Sequence, residues 1–383
     1  VLQQALKRAG DNRLELEHVL KHYENDSLKL EAAKYLIKNM CFHYSYTCTD
    51  IENYYNKIDS LIHDADVNTL DLVKNKLDLI SNNVLKKLKL QRDIKYISAN
   101  FLISHIDNAF LTRNYPWNKK LDFNIFCEYV LPYRIFNEPL ENWMPDYTNY
   151  TKHIADSLYS ESSSYKDFIN NIYIYFNKHT PYINPYSFKI QNIPSSLIGI
   201  RYGTCQEIAM LGVYIFRSLG IPIYFDFTRN WANRGMGHDG NGIDINGTYY
   251  PFILQANEDF GFHLKNKPYE KFGKIYRRTY SKQNESFILQ LKKSHKEKTP
   301  PFLSSVYIQD VSGLSANEVI TAKLKLEKKD ISFAFVSIFN NKEWVPIGWG
   351  KVEKDKVVIK DIQKGCCYLT TIYHQNKLTP ITC

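Results

Sequence analysis

The chain has 383 residues, 44% of them hydrophobic and 23% charged, with a formal net charge of +9. That length predicts two or three domains, and that hydrophobic content excludes disorder over any large part. No apolar run approaches the roughly 20 residues that span a bilayer, so no transmembrane segment is expected in the chain. The basic excess gathers in Lys265–Lys298, which reads as a solvated face and linker, with an anionic partner as the sharper alternative. No zinc-finger spacing, RNA-binding signature or Arg-rich helix points to nucleic acid.

From Leu2 to about Ile106 the pattern is helical. Asp26–Ser27 offers an N-cap for a helix over Leu28–Met40, whose Ala32, Ala33, Leu36 and Ile37 form one apolar stripe. Residues 67–95 continue in the same amphipathic style. Trp117–Met144 is aromatic and apolar, and Pro132 and Pro139 predict a helix that ends at a structured turn packed deep in the fold. A helix is expected over Ser164–Lys178, and three prolines make 179–200 irregular. Gln206–Leu219 reads as a helix stopped by Gly220, and Ile221–Thr228 as a strand. Strands over His238–Ile245 and Thr248–Leu254 flank Asn246-Gly247, a strong hairpin signal. Beyond Pro300-Pro301, short strands alternate with polar turns as in a small all-β sandwich.

The seven cysteines, Cys41, Cys48, Cys127, Cys205, Cys366, Cys367 and Cys383, include no CxxC pair. Neither a zinc or redox site nor a disulfide framework is expected, which leaves a reactive thiol as the interesting case. Cys205 stands where a helix begins, and there the backbone N–H groups and helix dipole favour a thiolate. The small residues Gly203 and Thr204 before it admit a substrate backbone, and its own N–H suits an oxyanion. A thiolate needs a base within reach, and His238 on a following strand is the candidate. Either residue alone is more often a packing or surface residue; the order of helix-borne Cys and strand-borne His is what makes the pair notable. No HExxH or HxH motif suggests a metal, and no cofactor is expected.

The run RYGTCQEIAMLGVYIFRSLGIPIYFDFTRNWANRGMGHDGN resembles the core of bacterial transglutaminase-like proteins of the papain-like cysteine superfamily. It has the Gly-x-Cys helix start, the LGIP turn, a DFT strand leading to Trp231 and a Gly-His pair opening the next strand. The segments EYVLPYRIFNEPLENW, EWVPIGWGKV and CCYLTTIYHQNKLTPI resemble a multidomain cell-envelope subgroup. The resemblance implies a Cys-His-Asp/Asn mechanism, in which thiolate attack on an amide gives an acyl-enzyme resolved by water or an amine. The family's usual Trp two residues after the His is replaced by Gly240. Its acid falls near Ile253, which accepts no hydrogen bond. Pairing across Asn246-Gly247 sets Ile245 opposite Thr248, Gly240 opposite Ile253 and His238 opposite Gln255, so Gln255 becomes the candidate orienter of the imidazole. Asp226, Asn257 and Glu258 are weaker substitutes, and Asp226 reads first as a structural hydrogen-bonding residue.

The expected fold is therefore α+β. A helical N-terminal region spans 1–110, a transglutaminase-like papain-type core with an antiparallel sheet spans 111–298, and an all-β sandwich spans 299–383. The expected function is a cysteine-dependent amide-bond hydrolase or acyltransferase of the transglutaminase-like type, acting through a Cys-His site on peptide, glycopeptide or cell-wall amides, with a peptide, protein or glycopeptide as substrate. Gly203, Thr204, Trp231 and Asn241 are expected to line its pocket. The alternative is a catalytically inactive transglutaminase-like binding or scaffold protein of the cell envelope. Trp344 and Trp349 suit either the sandwich core or contact with a glycan. By resemblance the protein is exported to the cell envelope, periplasmic or surface-exposed, with its leader removed.

Overall fold

Capping and periodicity account for the helices of the N-terminal half. Helices α1 (Leu2–Ala9), α2 (Arg13–His22) and α3 (Ser27–Asn39) turn Ala5, Leu6, Leu16, Val19, Ala33 and Leu36 inward. Asp26 caps α3 by accepting from the Lys29 N–H at 3.1 Å. After β1 (Tyr44–Thr47), α4 (Ile51–His63), α5 (Leu70–Leu85) and β2 (Lys89–Arg92) comes α6 (Ala99–Leu111), capped by the Ser98 hydroxyl. Helix α6 packs against α2 and α3. The computed structural model describes residues 1–63, 70–179, 187–199, 203–254, 260–261, 271–291, 299–315, 319–325, 332–354, 356–374 and 377–380.

One correction falls in this half. The segment expected to run helically to residue 95 leaves the helix at Leu85, and β2 pairs antiparallel with β1, Tyr44 opposite Arg92. The alternation in Lys89–Arg92 is too short to see beneath the helical pattern before it, and pairing with β1 decides the outcome.

Two prolines and two arginines shape the next stretch. Helix α7 (Phe123–Tyr129) is capped by Asp122 and gives way to an irregular segment ending at Trp143. Such a segment has no ladder to satisfy its carbonyls, so buried side chains do so. Arg134 is 2% exposed; it donates to the carbonyls of Tyr44 (2.9 Å) and Glu138 (2.8 Å) and to the Asp93 carboxylate (2.7 Å). Tyr133 also donates to Asp93, and Glu138 accepts from two backbone N–H groups and from Tyr214. His105 stands among Phe101, Tyr133 and Trp143, with Nε2 2.8 Å from the Leu131 carbonyl. Helices α8 (Met144–Glu161), α9 (Tyr165–His179) and α10 (Cys205–Ser218) complete this half, and α10 packs against α8.

The chain divides into two compact units. The first is Val1–Ile223 with Ile253–Phe260, and the second is Tyr224–Phe252 with Gly261–Cys383. In the second, β3 (Tyr224–Thr228), β4 (His238–Ile245), β5 (Thr248–Phe252), β6 (Tyr276–Arg278) and β7 (Ile308–Asp310) form a sheet ordered β5-β4-β3-β6-β7, every described pair antiparallel. The strand expected from Ile221 begins at Tyr224, since Pro222 has no N–H for a ladder. Asn246 (φ 54°) and Gly247 (φ 80°) make the type I′ turn between β4 and β5, with Ile245 opposite Thr248 as the hairpin signal predicts.

Strands β8 (Val319–Lys325), β9 (Phe333–Phe339), β10 (Trp344–Glu353), β11 (Lys356–Gln363), β12 (Leu369–His374) and β13 (Lys377–Pro380) join edge to edge. Among the described residues they form one antiparallel sheet ordered β13-β12-β9-β10-β11-β8. Register shifts at Pro346/Gly348 and Ile359/Ile362 bend it. Ala334, Val336, Ile338, Ile347, Val357 and Ile359 fill its core. Trp349 is half-buried against Phe287 and Phe333, and Trp344 against Phe339. No helix among the described residues is long and apolar enough to cross a membrane.

Candidate functional site

The start of α10 is built by its own neighbours. Thr204 is the N-cap, and its hydroxyl accepts from the Gln206 N–H at 3.3 Å. Glu207, 3% exposed, reaches back to accept from the Thr204 N–H and hydroxyl, both at 2.7 Å, which completes a capping box. Burial pushes the Glu207 carboxyl above its usual range, against the hydrogen bonds from Thr204. Gly203 has φ 155°, and a Cβ there would lie 2.9 Å from Glu207 Cβ, so the box itself requires glycine. Cys205 is then the first helical residue, half-buried and a thiol.

The far end of α10 is equally fixed. Gly220 (φ 68°) donates to the Arg217 carbonyl at 2.8 Å and Ile221 to that of Phe216 at 2.9 Å, the paired bonds of a Schellman stop. Trp117 Nε1 and Asn118 Nδ2 both donate to the Leu219 carbonyl at 2.8 Å. Arg217 donates to the carbonyls of Tyr129, Pro132 and Arg134, tying the helix to the irregular segment. Every residue from Glu207 to Ser218 is buried. A helix so enclosed holds its first residue in one place.

His238 opens β4, opposite Thr228 of β3. Alternation puts His238, Gly240 and Gly242 on one face with Thr228, Asp226 and Tyr224, and Asn241 on the other. Asn241 is fully buried, its amide 3.4 Å from the Tyr224 carbonyl, so the structure does not bring it together with His238. Trp231 is brought to His238. The two ring centroids lie 5.4 Å apart with planes tilted by 30°.

Asp226 is fully buried and fully engaged. It accepts from Arg277 Nε at 2.8 Å and Nη2 at 2.9 Å, and from the Tyr249 hydroxyl at 2.6 Å. The Arg277 guanidinium also lies 3.4 Å from the Tyr224 ring centroid. Gly242 makes room for this cluster, since a Cβ there would meet the Tyr249 ring at 2.3 Å. Asp226 is thus a structural residue, held by both neighbours, as the sequence suggests.

The β4–β5 ladder ends at Asn241 opposite Phe252. Gln255, with Asn257 and Glu258, lies outside the described residues. The structure therefore brings Gly203, Thr204 and Cys205 together in the first unit, and Trp231 with His238 in the second. Sequence reading missed Glu207, although Thr-x-x-Glu before an apolar run is a capping-box signature. It also missed Arg277 and Tyr249, which lie 51 and 23 residues from Asp226 with no local signal. No protein-family model, curated protein or solved structure matches the chain.

Proposed function

We propose that the protein is a cysteine-dependent amide-bond hydrolase or acyltransferase of the transglutaminase-like type, with Cys205 as nucleophile and His238 as base. One observation carries this reading: Cys205 is the first residue of a helix locked at both ends, where N–H groups favour a thiolate. In the proposed reaction His238 takes the thiol proton and the Cys205 sulfur attacks the amide carbonyl. The C–N bond then breaks as His238 returns the proton to the leaving amine. Water or a second amine resolves the thioester. A papain-type arrangement of the core, a sandwich-like role for the C-terminal strands, glycan contact through Trp344 or Trp349, and residence in the cell envelope belong to the same proposal.

The commitment of Asp226 to Arg277 and Tyr249 favours a second reading. It leaves that carboxylate unable to stabilise an imidazolium, as an inactive scaffold descended from such an enzyme would tolerate. Alkylation by iodoacetamide at neutral pH separates the two. The enzyme reading expects Cys205 to react far faster than a model thiol and to lose a factor on the order of 10²–10⁴ in His238→Ala, the range of acid–base assistance. Equal and slow labelling of both proteins leaves only the scaffold.

A further inference from the structure

Strands β1 and β2 form a two-stranded sheet whose two edges are unlike. The Asp93 N–H donates to the His43 carbonyl at 3.0 Å, so the bonded pairs along this antiparallel ladder are Ser45 with Gln91 and Thr47 with Lys89. The residues between them, Tyr44 on β1 and Leu90 and Arg92 on β2, turn their N–H and C=O groups away from the partner strand. On the β1 side Arg134 Nη1 donates to the Tyr44 carbonyl at 2.9 Å. On the β2 side no described strand pairs with Leu90 or Arg92. That edge is open.

Its surroundings are basic and apolar. Residues 86–95 carry Lys86, Lys87, Lys89, Arg92 and Lys95 against a single acid, Asp93, which is buried and bound to Arg134. Lys87 pairs with Asp50, whereas Lys89, Arg92 and the nearby Arg8 have no carboxylate partner among the described residues. Leu90 and Tyr46 stand opposite each other on one face, 49% and 37% exposed. Phe42, 38% exposed, extends this apolar surface, and the guanidinium groups of Arg8 and Arg92 lie 5.2 and 5.5 Å from its ring centroid. A basic edge repels a second copy of itself and attracts an acidic strand.

We propose that β2 takes an extended acidic peptide segment as a third strand, pairing its main chain with Leu90 and Arg92. Residues of the segment that bond Leu90 and Arg92 send their side chains to the face of Tyr46, where an apolar residue covers Leu90 and a carboxylate meets Arg92 and Arg8. The residues between them reach Lys89 on the other face. A nucleic-acid strand would neutralise the same charges but leave the outward main-chain groups unpaired. The surface lies within the first unit and is independent of the reading of Cys205 and His238.

The test uses the full chain and a fluorescent octapeptide, Glu-Thr-Val-Glu repeated twice. As a strand it alternates Glu with Val on one face and Thr with Glu on the other. Fluorescence anisotropy is expected to give a Kd below about 1 mM, and amide NMR to show the Leu90 and Arg92 N–H groups gaining protection from exchange. Arg8→Glu with Arg92→Glu is expected to weaken binding about 10-fold or more, with near-ultraviolet circular dichroism confirming the fold. Main-chain pairing is tested on the peptide, where no change can unfold the protein. N-methylation of the two Val amides, which face β2, is expected to abolish binding, and N-methylation of the two Thr amides, which point away, to leave it largely intact. No binding by the parent up to about 1 mM, equal effects of the two methylations, or indifference to the charge reversal overturns the proposal. Displacement of the peptide by an oligothymidylate, with both methylated peptides still bound, marks a general anion surface and overturns it as well.

Discussion

Each unit buries an arginine–aspartate pair with a tyrosine hydroxyl, and the two are used differently. In the first, Arg134 brings Nε (2.6 Å) and Nη2 (2.7 Å) to the Asp93 carboxylate and turns Nη1 to the carbonyls of Tyr44 and Glu138. In the second, Arg277 gives Nε and Nη2 to one carboxylate, Asp226, in a fork. The difference follows from the backbone around them. Arg134 stands between the irregular residues 130–143, where Glu138 has a carbonyl to satisfy, and the start of β1 at Tyr44, whereas β3, β4 and β6 satisfy one another through their ladders. A buried charge stands in for missing secondary structure in one place. In the other it fastens side chains across a finished sheet.

The largest expected effect breaks that comparison or upholds it. Removing one partner of a buried pair costs about 3–5 kcal/mol because the other charge is left uncompensated. Arg134→Leu also strands two carbonyls, so it is expected to destabilise more than Arg277→Leu. Hydrogen exchange read by mass spectrometry should show lost protection across 131–143 for the former and across β3 and β6 for the latter. Equal losses, or a larger one for Arg277→Leu, would remove the distinction between the two roles.

A second prediction sharpens the first unit's side. Burial pushes the His105 imidazole down to about 4, its hydrogen bond to Leu131 opposing the shift, and its Nδ1 has no partner among the described residues. A histidine held neutral in the fold but able to protonate when unfolded stabilises the protein above its ordinary pKa. That contribution is lost as pH falls from about 6.5 to about 4, and it amounts to about 3 kcal/mol. Urea midpoints across that range should fall for the parent and fall less for His105→Phe. The smallest effect tests the second unit. Tyr249→Phe removes a hydroxyl from Asp226 but leaves the Arg277 fork, so a loss of about 1.5 kcal/mol is expected from chemical unfolding.

The start of α10 was open to reading because its parts are close in sequence. Cys205 at the helix start and the stop at Gly220 obey helix-end rules, while the cap Thr204 and its box partner Glu207, just as local, carry a signature that the reading passed over. The β4–β5 hairpin was legible for the same reason, two residues defining its turn and its register. The surroundings of His238 were not. The resemblance puts Trp231 in a pocket, yet nothing local shows that its indole turns onto the imidazole. Arg277 reaches Asp226 only because β6 enters the sheet beside β3, skipping the hairpin between them. Strand Lys89–Arg92 failed differently, its four residues hidden behind a long amphipathic helix.

The Asn246-Gly247 turn has a reach beyond its two residues. Because side chains on a strand alternate, adding a single residue there would reverse which way Tyr249 points while β4 stays anchored to β3. The phenol would swing away from Asp226, and the gap over Gly242 would lie empty. Adding two residues would return the phenol to its original side. The parity of that short bend thus works as a remote lever on the buried cluster, and an odd–even series of insertions would expose it.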